Sequence, residues 1–171
     1  EEKCLLNIIK EKERVITIDD ILKLQNMYII IKKYKEYYDE MCDIYFEIES
    51  LSKLFNSKKI NNLIEKKRLI KINIEKLDII YIIKNIFYIL YEIGYIDSLI
   101  VKCGYDYLEE IIFTITEKKF IEIDYALDFQ IHKNVNGNDE YTYILHGKFD
   151  CFYFINKMFF KYLHELKVKI Y

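Results

Sequence analysis

The sequence predicts an α+β domain, in which a mostly helical N-terminal two-thirds is followed by an antiparallel β-hairpin or small meander packed on a C-terminal helix. Three observations predict it. Apolar residues recur at three-to-four spacing between Asp20 and Asn56, alternate strictly with polar ones from Phe120 to His132, and return to helical spacing from Phe152 to Leu166. At 171 residues the chain is long enough to bury its own core. It reads as one domain, 1–171, with a subdivision permitted between a helical part, 1–74, and a helix–hairpin–helix part, 75–171.

In order along the chain, "CLLNIIKEKE" places Leu5, Ile8 and Ile9 on one helical stripe, and "RVITI" alternates like a brief strand. Thr17 or Asp19 caps the long helix after it. The stripe of that helix is Ile21, Leu24, Tyr28, Ile31, Tyr34, Tyr38, Met41, Ile44 and Ile48. "FNSKK" breaks it, a shorter helix continues to Lys67, and "RLIKINI" alternates as a strand.

The apolar peak, Leu77 to Ile96, is as long as a bilayer span needs, about 20 residues. Lys84, Asn85 and Glu92 lie inside it, so a central buried helix is expected and a membrane span is not. "YIDSLIVKC" reads as further helix between Gly94 and Gly104, and Tyr107 to Lys118 suits helix or strand equally.

Two strands then meet at "IHKNVNGNDEYTY". A calcium loop is excluded, because a frame with Gly137 at its sixth place would begin at His132 and end at Tyr143, where carboxylates are required. A two-residue turn at Asn136-Gly137 would split the apolar face. A three-residue loop, Val135-Asn136-Gly137, with Gly137 in the left-handed region, opposes Ile131 to Tyr141, Phe129 to Tyr143 and Leu127 to Leu145. The last helix, capped by Asp150, comes next.

Composition limits what the side chains can be taken to mean. The chain has 17 Tyr and 11 Phe, no Pro, no Trp and one Ala, Ala126, the bias of an A+T-rich coding sequence. An excess of Tyr or Lys is therefore weak evidence for base stacking or phosphate binding. Net charge is −2 with both signs interspersed, which excludes a dominant basic field. Cys4, Cys42, Cys103 and Cys151 are widely spaced, as expected of thiols in a reducing compartment, cytoplasm or nucleus. No glycine-rich phosphate loop or nucleophile elbow occurs, and no cofactor is expected.

Three groups of residues carry functional expectations. The register places Asp124 and Asp128 on the polar strand face around Ala126, with His146 opposite, a set that could hold a divalent metal or act as an acid/base group. Residues 50–74, in the order helix, turn, helix, strand, loosely resemble a winged helix-turn-helix. That resemblance implies a nucleic-acid-binding module with Lys58, Lys59, Lys66, Lys67 and Arg68 toward phosphates. Apolar residues outside the main stripes, Ile29, Ile30 and Tyr37 on the long helix and Phe154, Met158 and Phe160 on the last, point to another protein chain or to self-association. The leading expectation is a non-enzymatic interaction or scaffold subunit of a larger intracellular assembly. The alternatives are the nucleic-acid module and a metal-assisted enzyme.

Overall fold

Helix formation begins where the chain can satisfy its first free N–H groups. The computed structural model describes residues 4–8, 17–104, 107–116 and 127–159. In it Thr17 and Asp20 close a reciprocal cap. The Asp20 amide donates to Thr17 Oγ1 (3.2 Å), and Asp20 Oδ2 accepts from the Thr17 amide and hydroxyl, both at 3.0 Å. From there α1 runs Ile18–Ser50, and all nine residues of its expected stripe, Ile21 to Ile48, are buried or half-buried. The brief strand expected at 14–18 lies mostly outside the described residues, and Ile18 already belongs to α1.

After a turn, α2 spans Ser57–Glu75. The strand expected at 68–74 is therefore the end of a helix, and the helix–turn–helix–strand order of 50–74 is not formed. Ile70, Ile72 and Ile74 do alternate, but Ile70 and Ile74 also continue a helical stripe from Ile60, Leu63 and Lys67, and Ile72 lies exposed beside it.

The apolar peak forms α3, Ile79–Glu92, with Ile83, Ile86, Phe87 and Leu90 fully buried. Its polar residues are accommodated: Asn85 Nδ2 donates to the Tyr81 carbonyl (3.0 Å) and Glu92 is exposed. Among the described residues no helix is long and apolar enough to cross a membrane. The helix stops at Gly94, whose φ of 78° is open to glycine at no steric cost. The Gly94 amide donates to the Tyr91 carbonyl (3.0 Å) and the Tyr95 amide to that of Leu90 (2.9 Å), which closes the last turn. The segment beyond it is strand, where further helix was expected.

Among the described residues five antiparallel strands form one sheet: β1 Cys4–Ile8, β2 Ser98–Cys103, β3 Leu108–Thr116, β4 Asp128–Lys133 and β5 Asp139–His146, in the order β1-β2-β3-β5-β4. β1 replaces the short helix expected at the N-terminus, and β3 settles the ambiguous segment as strand. The Phe120 part of the expected long strand lies outside the described residues. Its second half is β4, in the expected register, with Ile131 opposite Tyr141 and Phe129 opposite Tyr143. The turn is also as expected. Gly137 has φ 79°, its amide donates to the Asn134 carbonyl (3.0 Å), and Asn134 Oδ1 accepts from the Asn136 and Asn138 amides.

Helix α4 runs Gly147–Met158, directly after β5, and Asp150 Oδ2 accepts the His146 amide (2.8 Å) at its start. Together with α3 it covers one sheet face, where Leu99, Val101, Ile111, Phe113, Tyr143 and Leu145 are fully buried. Phe113 centres the packing, with ring centroids 4.7 Å from Phe154, 5.3 Å from Tyr143 and 5.5 Å from Phe87. Phe154 and Met158, expected to face a partner, are fully buried, and Phe160 lies outside the described residues. The reason is that α4 is packed on more than one side: Phe159 stacks on Tyr28 of α1 (4.4 Å), whose hydroxyl donates to Asn156 Oδ1, while Phe154 meets the sheet and Phe87. Backbone contacts divide the chain into two units, residues 1–28 with 80–171, and residues 29–79.

This core sets two expected outcomes. Phe113→Ala, which empties a site with no exposed surface, is expected to lower stability by about 3–5 kcal/mol in denaturant unfolding. Burial, with the Tyr141 charge second, pushes the Tyr143 phenol well above its ordinary value of 10.0. The unfolded phenol then ionises while the folded one stays protonated, so this contribution is intact below pH 10.0 and declines as pH rises above it. Tyr143→Phe is expected to lose stability less steeply than the wild type between about pH 10 and 12 in an alkaline unfolding series.

Candidate functional site

Strand parity sends alternate residues to the face opposite α3 and α4. There Ile100, Ile112 and Ile144 form one half-buried row across β2, β3 and β5, with Lys102, Glu110 and His146 in the next row. The charged row is connected. Lys102 Nζ lies 3.1 Å from Glu110 Oε1, Glu110 Oε2 lies 3.4 Å from His146 Nδ1, and His146 Nε2 lies 3.6 Å from Asp128 Oδ2 on β4. A parallel pair, His132 Nε2 to Glu140 Oε1 (3.0 Å), sits nearer the hairpin turn, and Ser98 Oγ and Thr114 Oγ1 are 2.7 Å apart on β2 and β3.

The structure thus brings His146 and Asp128 together, as the register implied, while Asp124 lies outside the described residues. Sequence reasoning misses Glu110, because it can be placed only once β3 is known to be a strand lying against β5. The two carboxylates approach opposite ring nitrogens of one imidazole, so they do not converge on a common point. Among the described residues no group of three His, Cys, Asp or Glu side chains could hold a metal ion. His146 and Asp128 are both more than half exposed, at 57% and 56%, so that end of the row is solvated. The two cysteines described in this unit's core are not poised for reaction: burial, and secondarily the Asp150 charge, push the Cys151 thiol well above its ordinary value, and Cys103 is buried.

The second unit offers a different surface. Residues 29–50 of α1 and the whole of α2 run antiparallel, joined by the turn at 51–56. Lys66 Nζ lies 3.6 Å from Glu40 Oε1 and Lys59 Nζ 3.8 Å from Glu47 Oε2, two rungs on one register. Lys67 stands over the Tyr45 ring at 5.1 Å, and Arg68 is held by Glu65 one turn back, its Nη2 2.6 Å from Oε1. That pairing lowers the Glu65 carboxyl below its ordinary value. The five basic residues expected toward phosphates therefore do not share one strip. Lys59 and Lys66 face α1, whereas Arg68 lies about half a turn around the helix from Lys59.

Among the side chains this unit exposes are several large apolar ones. Ile29 (60%) and Phe46 (67%) on α1, Ile64, Leu69 and Ile72 on α2, and Leu54 and Phe55 in the turn are all exposed, and Tyr45 is partly covered by Lys67. Of the expected partner residues on this helix, Ile29 is exposed, and Ile30 and Tyr37 are half-buried.

Comparison with models of known families, with curated proteins and with solved structures returns no match.

The charged row is expected to behave as surface ion pairs do. His146→Ala should cost less than about 1 kcal/mol, and added Zn²⁺ should leave the Tm unchanged. A Zn²⁺-dependent rise in Tm that Asp128→Ala removes would instead mark a metal site completed by Asp124.

Proposed function

We propose that the chain is a non-enzymatic interaction subunit that docks on another protein chain through the α1–α2 hairpin. The observation that carries this reading is the placement of large apolar side chains. Of the fifteen that are exposed among the described residues, six lie on the two helices within residues 29–79: Ile29, Tyr45, Phe46, Ile64, Leu69 and Ile72. Single exposed apolar residues are ordinary on any surface, but a concentration of them marks a surface that another molecule covers.

Aromatic and aliphatic anchors of this kind carry most of the affinity at protein interfaces. The nucleic-acid alternative has less support, because four of its five basic groups already sit against a carboxylate or a ring. A reducing compartment remains the expectation from the wide cysteine spacing.

A pull-down with the tagged chain from its native cells, with and without nuclease, tests the reading. A stoichiometric protein that survives nuclease is expected. Ile64→Asp combined with Leu69→Asp, at exposed helix positions that leave the fold intact by circular dichroism, should weaken its capture at least about tenfold. Loss of all bound material on nuclease treatment would refute the docking reading.

A further inference from the structure

The turn that joins α1 to α2 has features that the protein-docking surface does not explain. Its sequence is "SLSKLFNSKK", Ser50 to Lys59. Leu54 and Phe55 stand at its tip, 81% and 83% exposed, side by side in the chain. They are held there by an ordered turn. The Asn56 amide and Asn56 Nδ2 both donate to the Ser52 carbonyl at 3.0 Å, and Ser50 Oγ donates to the Glu47 carbonyl at 2.7 Å. The two side chains thus stand in a turn whose ends are held by these hydrogen bonds.

Within the turn segment itself the charge is one-sided, with Glu47 and Glu49 just before it on α1. From Ser50 to Ile64 there are three lysines, Lys53, Lys58 and Lys59, and no acidic residue, in a chain whose two signs are otherwise interspersed. Lys58 and Lys59 also fall in the first turn of α2, which has no acidic residue and no side-chain cap from Asn56. Cations are unfavourable at that end of a helix, where the free N–H groups are positive. Of these three lysines, only Lys59 has a carboxylate within ion-pair range among the described residues, Glu47 at 3.8 Å.

We propose that this tip is a contact point for an anionic lipid bilayer, with Leu54 and Phe55 entering the headgroup layer and Lys53 and Lys58 facing lipid phosphates. Two observations select a bilayer over a protein pocket. A specific protein interface needs about 800 Å² from each partner, more than two side chains on a convex turn can supply, whereas a fluid surface accepts a small apolar tip without matching its shape. The lysines around the tip complement the negative charge of such a surface, and long lysine stems can lie along it while their ammonium groups stay in the headgroup region.

Vesicle flotation with the full chain tests this. Phosphatidylcholine vesicles with phosphatidylserine are expected to bind it roughly tenfold or more tightly than phosphatidylcholine alone, with the difference fading at high salt. Leu54→Ser combined with Phe55→Ser should abolish binding to both, and Lys53→Gln with Lys58→Gln should remove the preference for phosphatidylserine. Val135→Ser, at another fully exposed apolar position in a different turn, serves as the control and should bind as the wild type does. Equal binding to the two vesicle types, or a Leu54/Phe55 double variant that floats like the wild type, overturns the proposal. So does a wild type that ignores vesicles while the double variant loses a protein partner. The Ile64/Leu69 variant separates the two surfaces, since it should lose its protein partner and keep vesicle binding.

Discussion

Phe113 has no exposed surface and touches the rings of Phe87, Phe154 and Tyr143, so one side chain in the middle strand joins both covering helices to the neighbouring strand. Because successive strand residues point to opposite faces, fixing Phe113 inward fixes every other residue in register with it. Leu99 and Val101 on β2 and Tyr143 and Leu145 on β5 must then face the helices, and they do. Glu110 and His146 are forced to the other face by the same parity. The row from Lys102 to Asp128 is in this sense a by-product of the core.

The same constraint shows which parts of the fold can be read from sequence. The β4–β5 hairpin is legible because its turn chemistry and its alternation agree: Gly137 supplies the left-handed residue, and only the three-residue loop keeps both apolar sets together. The start of α1 is legible because a Thr cap is local. Segments 68–74 and 98–103 mislead for one reason. Over six or seven residues an isoleucine-rich stretch satisfies helical and alternating periods at once, and in this composition isoleucine is common everywhere, so β-branching no longer discriminates. Gly94 is the available signal at the second of these, as the residue that ends α3. β1 cannot be seen locally at all, since Cys4 pairs with Cys103 from the far side of three helices in sequence.

The sites are legible to the same extent. His146 and Asp128 come from the hairpin register, whereas Glu110 requires the pairing of β3 with β5, which no local pattern announces. An outward placement of Phe154 and Met158 assumes that a helix buries one stripe. A helix packed against a sheet, α3 and the first part of α1 buries more than one, and its second stripe looks like surplus until its neighbours are known. The basic residues of α2 likewise look free in a sequence that hides their partners. Glu40 and Glu47 lie on a preceding helix, and only the antiparallel pairing brings them to Lys66 and Lys59.

Compositional bias bears differently on exposure than on residue counts. An A+T-rich coding sequence sets how many Phe and Ile residues the chain has, but it does not decide where the fold puts them. Phe87, Phe113 and Phe154 have no exposed surface, while Phe46 and Phe55, drawn from the same pool, stand largely in solvent on the α1–α2 hairpin. Leaving two such rings exposed forgoes burial worth roughly 1.5–3 kcal/mol for each. The sheet unit demonstrates that this chain can bury aromatic rings completely. The exposed rings of the hairpin are therefore informative where the mere abundance of phenylalanine is not, because it is the fold, and not the composition, that leaves one on a helix and one in a lysine-flanked turn.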